Sequence, residues 1–166
     1  MLPSWLYIGG ITFAIAFGLN RLSPRDLRWF NRLRRPAWLI FEWAIPWIWI
    51  SIFICGAWSA TVLWETAPHQ PLTWAMLAGY FVLEVVIMAY TPVMCKLRSL
   101  RVGTVIGATG FFLGLGLAIW VFPVSAVAGS LLVPYLLWSP IGTYVTWAMI
   151  PLTHIPQTLQ IAHKYK

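Results

Sequence analysis

VGTVIGATGFFLGLGLAIWVFPVSAVAGSLLVPYLLWSPIGTYVTWAMIPLT, residues 102–153, contains no Asp, Glu, Lys or Arg. A helix crosses a bilayer with about 20 mostly apolar residues, so this stretch is far too long for one crossing. Pro123, within Phe122-Pro123-Val124-Ser125, divides it, because proline lacks an N–H and favours a break. Two spans result, at roughly Val102–Val121 and Ala126–Leu152. Toward the N-terminus lie three more apolar runs, roughly Pro3–Leu22, Leu39–Trp64 and Leu72–Cys95. The expectation is an all-α integral membrane bundle of five transmembrane helices, a single domain over residues 1–166.

Composition agrees with the spans. The chain is 60% hydrophobic, and only 9% of its residues are charged. A soluble domain carries about 25% charged residues, so this chain cannot cover its surface with them and must face lipid. Twelve of its residues are Trp, which favours the membrane interface, where the ring is buried and the N–H finds water or a headgroup. The opening MLPSWLYIGG has no basic residue before its apolar run, the wrong charge order for a cleaved signal peptide. The first run is therefore expected to remain as a helix. Cys55 and Cys95 have neither the number nor the spacing of a disulfide framework or a metal site, and read as packing residues.

The charges test the span count. Arg21, Arg25, Arg28, Arg32, Arg34 and Arg35 precede the second span; Lys96, Arg98 and Arg101 follow the third; Lys164 and Lys166 end the chain. Together these are every Lys and Arg present. With five spans they share one side, and the opposite connections have none. The positive-inside rule then puts the N-terminus outside and the C-terminus in the cytoplasm, as in a bacterial plasma membrane. The net charge of +7 suits lipid headgroups or an anionic ligand. Nucleic acid is not expected as a partner, because the basic loop is tied to the membrane.

The first basic loop carries its own helix signals. Ser23 can N-cap, Pro24 suits the first helical position, and Asp26 completes a capping-box-like pattern. Arg25, Arg28, Arg32 and Arg35 would share one face, and Leu27, Phe30 and Leu33 another, of an interfacial helix stopped by Pro36. Such a helix either anchors to headgroups or forms a cationic lid over an anionic ligand.

The loop continues as Trp29-Phe30-Asn31-Arg32-Leu33-Arg34-Arg35-Pro36-Ala37-Trp38, which resembles the W-(Y/F)-x-x-L-x-x-P-x-W signature of the TspO/MBR family, the tryptophan-rich sensory or translocator proteins. The resemblance extends through Trp43 and Pro46–Trp49, returns at Lys96–Arg101, and is strong at Pro123-Val124-Ser125 and Pro134-Tyr135-Leu136-Leu137-Trp138. It implies a five-helix fold, often dimeric, with a ligand pocket among the helices near the first loop. The ligands it implies are porphyrin or haem, and in animal members cholesterol and synthetic drugs. Some bacterial members look able to promote light-dependent porphyrin breakdown. The chain also departs from the pattern. The proline pair of P-x-W-x-P-P-x-W is absent, and Pro46 sits one place early, so either Ile48 or Trp49 takes the next Trp position. Leu83, Ile87 and Tyr90 stand where helix three usually has Gln, Asn and Trp. No acid lies between Val102 and Trp120, and Thr146 falls near the usual Asn.

The candidate ligand-binding residues are Trp38, Trp43, Trp49, Glu84, Tyr90, Tyr135, Trp138 and Gly142, with Arg28, Arg32 and Arg35 for anionic groups. The Trp positions match or adjoin the family's pocket positions, where flat rings suit a flat macrocycle; each could equally be an interface anchor. Gly142 stands where the family has a small residue, usually Ala, and would leave room. A carboxylate at bilayer depth is expensive, which makes Glu84 a functional-site candidate. The plain alternative is a neutral Glu bonded to a neighbouring hydroxyl. His154, near the end of the fifth span, could ligate haem iron or simply be solvated. Gly103-x-x-x-Gly107 and Gly110-x-x-x-Gly114 permit close helix approach, either in a homodimer or within the chain. No metal site, nucleotide loop or catalytic triad is expected, and no cofactor is obligatory. Four functions remain in view: a tetrapyrrole receptor or carrier, a small proton-linked transporter, a light-dependent porphyrin-degrading enzyme, and a ligand-free scaffold. A binding or transport protein is favoured over an enzyme.

Overall fold

The computed structural model describes residues 3–19 and 22–153. Its helices are α1 (Ser4–Leu19), α2 (Pro24–Asn31), α3 (Ile45–Thr66), α4 (Pro71–Leu97), α5 (Leu100–Val121), α6 (Ala126–Leu131) and α7 (Val133–Thr153). A 3-10 turn, Glu42–Ala44, leads into α3. No strand occurs among the described residues. Four helical stretches are long and apolar enough to cross a membrane: Glu42–Thr66, Pro71–Leu97, Leu100–Val121 and Ala126–Thr153. α1 is a shorter apolar helix. The side chains these helices leave exposed are large and apolar, including Phe13, Ile54, Phe112, Ile119 and Leu137. Surfaces of this kind belong against lipid.

The long helices close into a ring. α1 packs on α3 and α4, α4 on α5, α5 on α7, and α6 on α3. α2 lies across the end of α4. The chain runs up and down, so α2, the start of α3, the α4–α5 corner and the end of α7 share one end, called the α2 end below. At the opposite, distal end Ser4 Oγ donates to Glu65 Oε1 at 2.8 Å and ties α1 to α3. Every described Lys and Arg lies at the α2 end.

The local signals explain most boundaries. Ser23 caps α2 through the Asp26 N–H at 3.2 Å, and Asp26 Oδ2 accepts from the Ser23 N–H at 3.3 Å, which completes the expected capping box. Pro24 and Pro71 occupy first-turn positions, where no N–H is missed. Ser99 and Ser125 cap α5 and α6. The α4–α5 corner turns on Arg98, whose φ of 49° is left-handed, with the Ser99 N–H returning to Met94 O.

Three boundaries differ from expectation. α2 ends at Asn31 rather than at Pro36. Leu33 must leave the helix to reach the core beside Met94, Cys95, Leu100 and Met149, so residues 32–41 form turns and extended backbone. α3 consequently starts later than Leu39. The last span divides at Leu132 into α6 and α7, because Pro134 has no N–H for the Ser130 carbonyl and restricts the residue before it.

The glycine pairs of α5 serve packing within the chain. A Cβ on Gly114 would sit 2.4 Å from Tyr135 Cε1, and one on Gly110 would sit 2.8 Å from the Tyr135 hydroxyl. Gly103 faces Met94 and Gly107 faces Thr143 in the same way. These contacts, all within the chain, occupy the Cβ side of each of the four glycines. Gly114→Val is therefore expected to lower the midpoint of thermal unfolding in detergent, by an overpacking cost of about 1–3 kcal/mol. Gly116, whose Cβ position is open, should tolerate Ala without loss.

Candidate ligand-binding site

Two chambers occupy the ring, one above the other. The chamber at the α2 end has a volume of ≈ 190 Å³ and is walled by α3, α4, α5, α7 and the 32–41 segment. The distal chamber has a volume of ≈ 670 Å³ and lies among α1, α3, α4, α6 and the start of α7. Tyr135 and Ile87 line both. Tyr135 is buried, with its ring on the glycines of α5, so it forms the fixed part of the partition.

The α2-end chamber gathers Trp49, Tyr90, Tyr135, Trp138, Gly142 and Arg35 from the sequence candidates. Trp49 takes the inward position on α3 and stacks near Phe53 at 6.0 Å between ring centroids. Trp138 meets Phe41 edge-on at 6.3 Å, and its indole Nε1 is buried without a partner among the described residues. That leaves one unused donor in an apolar cage, where an unmade hydrogen bond costs about 1–3 kcal/mol. Gly142 has no atom within 4 Å of where a Cβ would stand, so the space expected there is present.

Arg35 seals this chamber from the α2 end. Because α2 stops early, Arg35 leaves the face of Arg25, Arg28 and Arg32. Its guanidinium lies 5.4 Å from the centroid of the Phe30 ring, donates to Leu33 O at 3.0 Å and pairs with Glu42. Arg28 and Arg32 remain exposed and do not reach the chamber. Trp38 sits in a shallow surface cleft beside Tyr144, with ring centroids 5.9 Å apart, and meets Phe41 at 6.5 Å. Trp43 is 76% exposed and lines no chamber. His154, His163, Arg21 and the tail lysines lie outside the described residues.

Two departures from the family pattern turn out to be partners. Tyr90, in the helix-three Trp position, bonds Thr146, near the usual Asn. Thr146 Oγ1 donates its single proton to Gly142 O at 3.1 Å, so the Tyr90 hydroxyl must be the donor to Thr146. The same device recurs in the distal half. Ser59 Oγ donates to Ala128 O at 2.6 Å, which leaves Tyr80 as the donor to Ser59 at 2.5 Å.

Glu84 is the one sequence candidate assigned to the distal chamber alone. It is half-buried, near the middle of α4, and its Oε1 is buried without a partner among the described residues. Thr12 faces it from α1. The chamber's aromatic wall, Tyr7, Trp64, Trp74, Tyr80 and Phe81, was not among the sequence candidates. A signal existed: Leu77, Tyr80, Phe81, Glu84 and Ile87 recur at helical spacing, so one inward carboxylate marks the whole face.

The TspO/MBR family model matches residues 7–152. The chain belongs to the TspO/MBR family. Among curated relatives it is similar to the Tryptophan-rich protein TspO of Bacillus cereus, 26% identical over 150 residues that cover 90% of this chain and 96% of that one. It is also similar to the Translocator protein of Sus scrofa, 26% identical over 148 residues covering 83% and 85% of the two chains. Protein CrtK of Rhodobacter capsulatus is 23% identical over 126 residues, covering 74% and 79%. Family membership and the apolar helices together establish an integral membrane protein.

The Tyr90–Thr146 pair makes a sharp expectation for this TspO/MBR chain. Thr146→Val strands the buried Tyr90 hydroxyl and should cost about 1–3 kcal/mol, whereas adding Tyr90→Phe removes the stranded group and recovers most of the loss. Thermal unfolding of both single variants and the double variant in detergent measures this. Equal destabilisation by Thr146→Val with and without Tyr90→Phe would mean that the bond contributes nothing.

Proposed function

We propose that this protein is a membrane receptor or carrier for flat hydrophobic molecules with an anionic rim, of the tetrapyrrole class that includes porphyrin and haem. The carrying observation is the α2-end chamber: Trp49, Tyr90 and Trp138 wall it, an unused indole N–H points to an acceptor, and Arg35 stands at its end. A ligand carboxylate takes the place of Glu42 at the Arg35 guanidinium, in a charge-assisted contact. Ordinary ligand pockets measure roughly 300–1,000 Å³, so a macrocycle enters only as the 32–41 segment gives way. That segment has little regular hydrogen bonding of its own, which supports such movement.

In this reading α1 is the fifth span, with the N-terminus outside and the C-terminus in the cytoplasm of a bacterial plasma membrane. The bond from Ser4 to Glu65 and the confinement of the described Lys and Arg to the α2 end support that arrangement. Lipid surrounds the ring, and a homodimer forms through a face other than the α5 glycines. A second reading, a proton-linked carrier, rests on Glu84 at bilayer depth. It predicts pH-driven uptake into proteoliposomes that is lost in Glu84→Gln.

Titration of the detergent-purified protein with protoporphyrin and with haemin, followed by Trp fluorescence and the Soret band, tests the first reading. Saturable binding is expected. Arg35→Ala should weaken it roughly tenfold, the loss of one hydrogen bond to a charged group. Gly142→Phe should block the chamber, and Arg28→Ala with Arg32→Ala should change little. Binding no better than partitioning into empty detergent would overturn the reading.

A further inference from the structure

The distal chamber differs chemically from the one under the first loop. It is the larger of the two and of ordinary ligand-pocket size. Its polar interior is an acceptor rather than a donor, because Glu84 Oε1 is buried and unpartnered among the described residues. Tyr80 cannot supply the missing proton. Its hydroxyl donates to Ser59, whose own proton goes to Ala128 O. The walls carry aromatic side chains from α1, α3 and α4 among aliphatic ones. No described Lys or Arg lies at this end of the ring. The titratable groups there besides Glu84 are Tyr7, Tyr80, His69 and Tyr135 in the chamber wall, and Glu65 bonded to Ser4 at the rim.

We infer that the distal chamber is a second binding site, for a lipophilic amine held by the Glu84 carboxylate and by the aromatic wall around it. A protonated amine brings both things the chamber lacks, an N–H for Oε1 and a positive charge. Aromatic faces attract such a cation through their quadrupoles, most strongly where water is excluded. The carboxylate at bilayer depth, otherwise a cost, becomes the counter-ion. An anionic ligand finds no described Lys or Arg here and meets two carboxyl groups, Glu84 in the wall and Glu65 at the rim. The two chambers therefore sort ligands by charge, anions at the α2 end and cations at the distal end. This site stands whether or not the α2-end chamber binds tetrapyrroles.

A charge series of flat tricyclic probes tests it on the full chain in a neutral sugar detergent: 9-aminoacridine as the cation, anthracene as the neutral shape, and anthracene-9-carboxylate as the anion. The readout is quenching of Trp fluorescence and probe anisotropy. The cation should bind saturably and roughly tenfold more tightly than anthracene, as expected for a hydrogen bond to a charged group. Glu84→Gln should bring it to the anthracene level, and Arg35→Ala should leave it unchanged. Gly56 lines the chamber and has open space at its Cβ position, so Gly56→Leu should displace all three probes from it without strain. Equal affinity for cation, neutral and anion on the unaltered protein would overturn the inference, even if Glu84→Gln failed to fold. So would full retention of cation binding in a folded Glu84→Gln or Gly56→Leu protein.

Discussion

The seat of the Tyr135 ring on Gly110 and Gly114 governs this bundle. Two missing Cβ atoms let a large aromatic from α7 lie against the backbone of α5. Without hydrophobic drive between helices in lipid, close packing of this kind is what holds transmembrane helices together. The same ring closes the middle of the interior, so one contact both fixes the α5–α7 pair and sets the floor of each chamber. The core cluster of Leu63, Leu83, Leu117, Val121 and Ala128 is built around it.

The interior above and below that ring is polarised by a few groups. On the α2 side the spare group is a donor, the Trp138 indole, and the nearby charge is Arg35. On the distal side the spare group is an acceptor, the Glu84 carboxylate, and no Lys or Arg is described at that end. Each half also holds one relay of the same kind, a Tyr donating to a Ser or Thr that donates to a backbone carbonyl. In a low-dielectric interior such satisfied relays are rigid, and the two unsatisfied groups are where a ligand gains most. The folded chain thus keeps two costs in place, and ligand binding would offset each.

Much of this was legible in the sequence, for local reasons. Pro123 ends α5 and Ser125 restarts the helix as α6, because both act within one turn. The Ser23–Asp26 box is likewise local. The inward places of Tyr135 and Trp138 accord with the family pattern, which left Ile48 and Trp49 as alternatives of which Trp49 lines the chamber, and Gly142 has open space. What failed depended on tertiary contacts. The pull of Leu33 into the core stops α2 before Pro36 and swings Arg35 away from Arg28 and Arg32. The α5 glycines could not be assigned to a partner until Tyr135 was seen on them. Trp43 matches the motif but points outward from the 3-10 turn that leads into α3. The distal chamber is not legible in the sequence because its walls come from α1, α3, α4 and α6 together, and only Glu84 announces it.

Simultaneous occupancy tests the divided interior most directly. Protein saturated with protoporphyrin is titrated with 9-aminoacridine, and the stoichiometry and affinity of each are measured in the presence of the other. Separate chambers on either side of Tyr135 predict one molecule of each bound together, with the affinity for the amine unchanged. One-for-one displacement of either molecule by the other would contradict the account, because it would mean a single shared cavity.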